Sequence, residues 1–413
     1  MRQGLLAAVT ALVFLPLASA AAEHRIAERV ASDSDKAAVV KGDNSFAFDL
    51  YGKLRAQKGT IFFSPLSVSS ALAMAQAGAG GETAAEMARV LHTALPADRM
   101  QLARTAFTNE LQFNAKNDGA TVLAANGLWM QKGAEFKPAF LKFAQGYGAK
   151  AEALDFKHDP EGARQHINDW VMQQTNGKIR DLVNAKMVNE DPLLMLTDAI
   201  YFNAGWMFPF DASLTAPRSF HVTKDKAVNV QMMHQDRELS YLDGESFQAV
   251  NLPYHGGLAM AVFLPNEVDG MEDFEHALGA PKLGKWLAAL AAPASPKEVT
   301  LDFPKLKIEN RFNFAELLSD LGMRRAFSAA TADFSGISST PAFLSAVAHK
   351  SYIAIDEKGT EAAAATVVGM MPTSISERKE EPVMMNVDHP YFFVIWDMRS
   401  KAVLFIGRIE DPS

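Results

Sequence analysis

The sequence predicts an α+β fold with large, mostly antiparallel β-sheets, built as one large domain. Apolar strand-like runs and helix-like segments are interspersed along the chain without the regular strand–helix–strand alternation that is typical of parallel sheets. A length of 413 residues would alone suggest two or three domains. Residues 44–410, however, contain no block rich in Pro, Gly or Ser, no long run of one charge and no internal repeat. The lack of a linker therefore favours a single domain.

The first 20 residues have the pattern of a secretory signal peptide. Arg2 precedes an apolar run from Leu5 to Leu17, and residues 18–20 (Ala-Ser-Ala) supply the small side chains of a cleavage site. The apolar run is shorter than a membrane-spanning helix requires. Residues 21–43 are polar and Ala-rich without a clear period, so we expect a flexible leader there. The mature chain is therefore expected to be secreted, into the extracellular space or a periplasm.

The composition limits the chemistry that the chain can perform. It contains no cysteine, which excludes disulfides, a nucleophilic thiol and cysteine–metal sites. The formal net charge of −8 disfavours binding to nucleic acid. Between His92 and Glu110 the only basic residues are Arg99 and Arg104, so no heparin-type site is predicted. No motif for a metal, a cofactor or a hydrolase is present, and we predict none of these.

The first part of the chain shows helix and strand signals in quick succession. Apolar residues recur every four positions from Phe46 to Leu54, behind a possible cap at Asn44. Ser64 followed by Pro65 is the order of cap and first residue that opens a helix. The predicted elements are a helix from residue 44, a strand over 61–63, and helices over 64–77 and 83–92.

The middle of the chain predicts a strand over 121–131, a helix over 138–145 and a helix over 159–175. The last of these carries Trp170 and Val171 on its apolar side. It ends at Asn176-Gly177, two residues that tolerate left-handed backbone. Residues 193–206 are apolar without alternation, as in a strand buried on both faces.

The final third alternates between strand and helix signals. Its predicted elements are strands within 227–265, a helix over 271–290 interrupted at 279–281, a strand over 299–308, a helix over 312–321, and strands over 391–396 and 402–409.

The stretch from Glu357 to Val368 has an unusual composition. Its alanines favour a helix, yet Val367 and Val368 favour a strand, and Gly369 follows directly. As a strand, one face would hold only small, uncharged or apolar side chains and could enter a crowded sheet. That face consists of Thr360, Ala362, Ala364, Thr366 and Val368. Composition alone favours an exposed Ala-rich helix end or a linker over such a strand.

The sequence around this stretch strongly resembles the hinge of the serpins. The hinge resemblance covers Ala348–Thr366, and Asn386–Phe393 resembles the segment that follows the serpin reactive loop. Further blocks occur in the family order, and this ordered set is specific where no single short motif would be. These blocks are Asn44–His92, Asn168–Ile179, Leu196–Phe210 and Val299–Ser338.

The resemblance implies a serpin-like domain over residues 44–413 with three mostly antiparallel sheets and about eight or nine helices. It implies an exposed reactive-centre loop over about 359–389. The hinge of this loop would comprise Glu357, Gly359, Thr360, Glu361, Ala362, Ala363, Ala364, Ala365 and Thr366.

The resemblance also implies two groups of residues in the main sheet. A hydrogen-bonded cluster, hereafter the sheet-opening cluster, would comprise Ser64, Ser67, Asp198 and His349. The family usually has Asn where this chain has Asp198. Three residues, Trp206, Lys305 and Glu357, would lie at the top of the sheet, with a salt bridge between Lys305 and Glu357. Considered locally, the two serines are ordinary helix-capping residues and Trp206 an ordinary core residue.

The function implied by the resemblance is suicide inhibition of a serine protease by a monomer that forms a covalent 1:1 complex. Family spacing from Glu357 puts the reactive bond between Thr373 and Ser374. Met371 is an alternative, and both choices favour elastase-, chymotrypsin- or subtilisin-like proteases. Arg378 is a third choice and would favour trypsin-like proteases. Alternatives to inhibition are a serpin-fold carrier or chaperone, a protease substrate, or a secreted hydrolase.

Overall fold

The structure is a computed structural model that describes residues 31–117, 119–188, 194–292, 296–361 and 381–413. Within these ranges the chain forms ten α-helices and fifteen β-strands. The helices are α1 (Asp33–Leu54), α2 (Pro65–Gln76), α3 (Gly81–Val90), α4 (Ala97–Asn117), α5 (Pro138–Gly146), α6 (Pro160–Gln174), α7 (Ala185–Val188), α8 (Met271–Ala277), α9 (Ala280–Ala291) and α10 (Ala315–Asp320). None of these described helices is long and apolar enough to cross a membrane.

The strands follow the helices irregularly along the chain, and the predicted α+β class is confirmed. They are β1 (Ile61–Phe63), β2 (Thr121–Gln131), β3 (Lys150–Leu154), β4 (Leu194–Gly205), β5 (Ala216–Thr223), β6 (Lys226–Asp243), β7 (Phe247–Pro253), β8 (Leu258–Pro265), β9 (Lys297–Pro304), β10 (Leu306–Asn313), β11 (Leu344–Asp356), β12 (Gly359–Thr360), β13 (Val383–Asn386), β14 (Tyr391–Asp397) and β15 (Val403–Ile409).

The main sheet has six strands in the order β10-β11-β12-β4-β2-β3. Strands β11 and β4 are parallel and pair directly from Leu344 opposite Leu194 to Tyr352 opposite Tyr201. Beyond that pair the two strands separate, and β12 lies between them, antiparallel to both. We call the line along which β4 and β11 meet the β4–β11 seam. The two strands pair directly along most of this seam and are separated by β12 at one end.

The other nine strands form one continuous sheet, in which β6 joins two parts. Residues Met232–Leu239 of β6 pair with β9, whereas Ser240–Asp243 pair with β7. One part contains β5, β6, β9 and β13, and the other contains β1, β15, β14, β8, β7 and β6. If these parts are counted separately, the described residues form the three expected sheets.

Helix α6 lies across one face of the main sheet. Ala163, Ile167 and Val171 recur every four residues, and they are buried with Trp129 of β2 and Ala199 of β4 in one apolar cluster. Asp159 caps the helix by accepting a hydrogen bond from the Gly162 amide. This placement agrees with the apolar side predicted for the helix, and it sets the segment after α6 above the β4–β11 seam.

The leader expected over residues 21–43 is wrong for its C-terminal part. Helix α1 begins at Asp33 rather than at residue 44, and Ser32 caps it by accepting a hydrogen bond from the Asp35 amide. Val39 and Val40 are buried. The sequence concealed this because polar α1 residues pair with α4, which is remote in the chain: Asp35 binds Arg99, and Asp43 binds Arg104. Asn44, the expected cap, instead bonds to the backbone of Lys401 and Val403.

The strand expected over 299–308 is in fact two strands in different sheets. Strand β9 ends at Pro304, β10 begins at Leu306, and the Lys305 amide donates to the Gln231 carbonyl between them. The helix expected from residue 312 begins only at Ala315, because β10 continues to Asn313. Apolar content alone could not locate this crossover, which fixes Lys305 at the end of the main sheet.

Candidate functional site

The first residues of the expected reactive loop lie inside the main sheet. Gly359 pairs with Gly205 and Asp356, and Thr360 pairs with Ala204 and Ile355. The Thr360 side chain is fully buried, and its Oγ1 lies 2.6 Å from the Tyr254 hydroxyl. The loop base is therefore already a short strand between β4 and β11.

The exposed loop expected over 359–389 needs correction at both ends. At its start Gly359 and Thr360 are buried in β12. At its end β13 pairs with β9, and His389 is buried with its Nε2 2.7 Å from the Pro265 carbonyl. The physical reason is the same at both ends, since the backbone there completes hydrogen bonds with neighbouring strands.

Gly359 is required by the close approach of the loop base to β4. Its φ of +149° lies in a region that L side chains rarely adopt. A Cβ atom added here would lie 2.3 Å from the Ala204 carbonyl oxygen. Glycine is therefore the residue that lets the chain turn from β11 into the sheet.

The residues expected at the top of the sheet come together around this loop base. The Trp206 ring stacks on Tyr254, with ring centroids 4.2 Å apart, and its Nε1 donates to the Asp356 carbonyl at 2.9 Å. The Lys305 ammonium lies 2.9 and 3.1 Å from the two carboxylate oxygens of Glu357. Tyr254 of this aromatic pair contacts the inserted Thr360, and the ion pair fixes the turn that precedes it.

Glu357 predicts a pH dependence of stability. Burial raises the pKa of Glu357, but hydrogen bonds from Lys305, the backbone and Thr215 outweigh burial and hold it below its ordinary value of 4.5. A carboxyl with a lowered folded-state pKa stabilises the fold above its unfolded-state pKa, and this contribution is lost as pH falls through the folded-state pKa. Glu357→Gln should therefore lower the free energy of unfolding at pH 7 by about 1 kcal/mol, and the unfolding temperature should fall with it.

Thermal unfolding of both proteins between pH 7 and pH 3 checks this prediction. The difference in unfolding temperature between the wild type and Glu357→Gln should be constant above about pH 4.5. It should shrink below that pH, because protonation of Glu357 removes the same ion pair from the wild type. Glu267→Gln, at an exposed glutamate, is the matched control and should show no gap. A gap for Glu357→Gln that persists unchanged to pH 3 would contradict the assignment.

The four residues of the sheet-opening cluster form one buried hydrogen-bonded chain. His349 Nδ1 lies 2.7 Å from Asp198 Oδ2, and the Ser67 hydroxyl donates to the other oxygen of Asp198. The Ser64 amide donates to His349 Nε2 at 3.2 Å, while the Ser64 hydroxyl donates to the Leu404 carbonyl at 2.6 Å. At most 2% of any of these four residues is exposed. The chain connects β4, β11 and the start of α2.

This pattern fixes the state of the histidine. Because Nε2 accepts the Ser64 amide hydrogen, the remaining ring proton is on Nδ1 and is donated to Asp198. Asp198 and His349 are also direct partners in the β4–β11 register. The cluster therefore lies on the seam between β4 and β11. The carboxylate at position 198 accepts both available donors, so aspartate fits where the family usually has asparagine.

The cluster does not have the geometry of a hydrolase. In a catalytic triad the histidine nitrogen opposite the carboxylate accepts the proton of a serine hydroxyl that substrate can reach. Here that nitrogen accepts a backbone amide, and the serine hydroxyls bond to Asp198 and to the Leu404 carbonyl. These contacts agree better with a buried structural cluster that joins neighbouring strands than with a catalytic nucleophile.

The remaining hinge and reactive-bond residues lie outside the described residues. They are Ala362, Ala363, Ala364, Ala365, Thr366, Met371, Thr373, Ser374 and Arg378.

Sequence reasoning missed two contributors at the loop base. Tyr254 contacts Thr360 across 106 positions, and Lys178 pairs with Glu361 across 183 positions. Tyr254 belongs to no motif or periodic pattern, and the resemblance of the block Asn168–Ile179 assigned no role to Lys178. Only the three-dimensional arrangement brings them to the loop.

Comparison with known proteins identifies the family. The family model described as Serpin (serine protease inhibitor) matches residues 41–412. The chain belongs to the serpin family. Its membership agrees with the sheet topology and with the partly inserted loop base.

Similar serpins come from distant organisms. An uncharacterized serpin-like protein of Thermococcus kodakarensis is 37% identical over 390 residues, covering 93% of this chain and 88% of the relative. Leukocyte elastase inhibitor of Xenopus tropicalis is 36% identical over 381 residues, covering 89% and 97%. The structure of human thyroxine-binding globulin in complex with thyroxine aligns with a TM-score of 0.82 at 28% identity, covering 92% of this chain and all of that chain. Proteins named for inhibition of an elastase and for binding of thyroxine thus share the serpin fold of this chain.

Proposed function

We propose that this serpin is a suicide-type inhibitor of serine endopeptidases, which traps the protease by inserting its cleaved reactive loop into the main sheet. The position of β12 carries the proposal. Gly359 and Thr360 already lie between β4 and β11, at the open end of the seam. The loop is therefore aligned to continue along the seam once its far end is free.

The sheet offers a driving force for this insertion. Strands β4 and β11 are parallel, and β12 is antiparallel to both. Continuing β12 would replace one parallel pair by two antiparallel pairs, which are slightly more stable per residue and add a second ladder of hydrogen bonds. The uncleaved loop is tethered at both ends by β12 and β13, so cleavage is what permits full insertion.

The chemistry of trapping belongs to the protease. Its serine attacks the loop carbonyl, the peptide bond breaks, the new amino terminus leaves, and an ester joins the protease to the N-terminal part of the loop. About 14 residues from Thr360 to Thr373, at roughly 3.3 Å each, would span on the order of 45 Å as a strand. Insertion would carry the ester-linked protease that far before water cleaves the ester.

The composition of the hinge suits rapid insertion. Burial of an unpaired charge can cost several kcal/mol, which would slow insertion and let hydrolysis of the ester win. The residues that would follow Thr360 on the inserting face are Ala362, Ala364 and Thr366, all small and uncharged. This composition favours an inhibitor over a relative that is merely cleaved.

The proposed target is an elastase-, chymotrypsin- or subtilisin-like protease in the extracellular space or a periplasm. Thr373 is small, and Met371 is apolar and unbranched. Both side chains suit the substrate clefts of these proteases. The similar frog protein is named for an elastase. The signal-like residues 1–20 support export, and a chain without cysteine needs no oxidative folding there.

Incubation with subtilisin, elastase, chymotrypsin and trypsin tests the proposal. We expect a 1:1 adduct that survives denaturing electrophoresis with at least one of the first three proteases. The mass of the released C-terminal peptide should place the cut after Thr373, with Met371 and Arg378 as the alternative positions. Proteases whose active-site serine is replaced by alanine are the matched control and should form no adduct.

If every active protease cleaves the loop cleanly without forming an adduct, the proposed inhibitory function is contradicted. That outcome would favour a serpin-fold carrier or chaperone, a role supported by the similar structure of thyroxine-binding globulin in complex with thyroxine. Activity of the protein itself on peptide or ester substrates would instead favour a hydrolase.

A further inference from the structure

Glu361 is the point at which the chain leaves the main sheet. Its amide donates to the Ala354 carbonyl at 2.9 Å, and its own carbonyl accepts from the Asn203 side chain. Its φ of +51°, however, is left-handed, which an extended strand does not permit. The backbone is thus bonded to both sides of the seam at the residue where β12 stops.

The side chain of Glu361 is held in an unusual place for a carboxylate. Only 6% of it is exposed, and Oε1 lies 3.2 Å from the Lys178 ammonium. Oε2 is buried, and the nearby phenols of Tyr201 and Tyr352 are neutral hydrogen-bond donors to the carboxylate. Because burying a charge without a counterion is costly, the carboxylate still depends strongly on the Lys178 cation.

The carboxylate lies above the last direct pair of the seam. Tyr201 of β4 and Tyr352 of β11 are partners in the register, and beyond them the two strands separate. Burial, together with the nearby Glu361 carboxylate, raises the pKa of each phenol to about 12. Both phenols therefore stay neutral beside the carboxylate, and Lys178 is the cation that pairs with it.

Lys178 belongs to a segment that is itself fastened to the sheet. This segment joins α6 to the rest of the chain and passes over β11 and β10. The Arg180 carbonyl accepts from Lys350, and the Asp181 carbonyl accepts from Arg311 at 2.9 Å. The counterion of Glu361 is thus carried by the same segment that covers the closed part of the seam.

We propose that Glu361 is a positioning residue, which with Lys178 holds the loop base at two inserted residues. Loss of the lysine charge would leave a buried carboxylate without a cation, so Glu361 would move to solvent and draw Thr360 out of the sheet. Further insertion, in turn, requires Glu361 to give up its left-handed backbone and its present pairing. The consequence for trapping rests on the proposed inhibitory function, whereas the placement of the loop base does not.

Hydrogen exchange of the intact protein, measured without any protease, tests this inference. In Lys178→Met the amides of residues 353–361 should exchange about tenfold faster than in the wild type, because the loop base spends more time outside the sheet. Lys178→Arg is the matched control, since it keeps the charge, and it should exchange like the wild type. Lys178 is 44% exposed, so neither change should unfold the chain, and exchange of β14 should stay unchanged.

The variant Glu361→Gln supplies a second arm. Combined with Lys178→Met it removes both charges, so exchange should return towards the wild-type rate, a non-additive result that shows direct coupling. Equal exchange in wild type and Lys178→Met, or strictly additive effects of the two changes, would overturn the proposal.

The adduct assay separates this inference from the proposed function. If the exchange pattern is as expected but no protease forms an adduct, the positioning role stands and the inhibitory function fails. If adducts form, Lys178→Met should increase the share of protein that is cleaved without trapping, because its loop base starts farther from the inserted position. Trapping by Lys178→Met that is as efficient as in the wild type would contradict the role in trapping.

Discussion

Thr360→Arg should convert the proposed inhibitor into a substrate that is cleaved and released. Thr360 is fully buried between β4 and β11, with its hydroxyl 2.6 Å from that of Tyr254. The Thr360 side chain contacts a hydroxyl rather than a carboxylate, and burying a charge without a counterion costs several kcal/mol. Since each 1.36 kcal/mol changes a rate about tenfold, insertion should slow by at least about 100-fold. Hydrolysis of the acyl-enzyme would then precede trapping.

The measurement is the ratio of adduct to cleaved protein on denaturing gels, with a protease that the wild type traps. Thr360→Val is the matched control, because it keeps the shape and lacks a charge. This control should still form the adduct, although it loses the contact with Tyr254. Adduct formation by Thr360→Arg at the wild-type level would contradict insertion at this seam.

Asp198→Ala should destabilise the native protein more than any surface change. It removes the acceptor of both the Ser67 hydroxyl and the His349 ring proton, and both donors are buried. A buried donor left unsatisfied costs about 1–3 kcal/mol, so the free energy of unfolding should fall by about 3–5 kcal/mol. The seam between β4 and β11 should also open more easily, because the lost contact between Asp198 and His349 joins its two strands.

Thermal unfolding and hydrogen exchange of β4 and β11 check this expectation. Asp198→Asn keeps one acceptor oxygen and should lose less stability than Asp198→Ala. Asp169→Ala, at an exposed aspartate of α6, is the matched control and should change stability by no more than about 0.5 kcal/mol. If Asp198→Ala unfolds at the wild-type temperature, the sheet-opening cluster does not stabilise the pairing of β4 with β11.

Local chemistry explains why much of the fold could be predicted from the sequence. The order of Ser64 and Pro65 opens α2, the unbroken apolar run yields β4, and Asn176-Gly177 ends the helix that became α6. Each signal depends on residues that are neighbours in the chain. The errors arose where partners are remote, as in α1, whose polar residues pair with α4, and at Lys305, where the strand changes sheet.

The candidate site divides in the same way. The resemblance supplied the members of the sheet-opening cluster and the Lys305–Glu357 pair, and the structure brings both groups together. Neither the resemblance nor composition revealed that Thr360 is already inserted or that Glu361 is buried against Lys178. Both features depend on the width of the gap between β4 and β11, which no local pattern encodes.

The central claim is that the cleaved loop becomes a new strand between β4 and β11. Cutting the loop and comparing intact with cleaved protein, by amide exchange of residues 362–372 and by thermal unfolding, tests it most directly. The account predicts that these amides exchange slowly in the cleaved protein and that it unfolds at a higher temperature than the intact protein. Loop amides that exchange as fast as those of an unstructured chain, in a cleaved protein that is no more stable than the intact one, would contradict it.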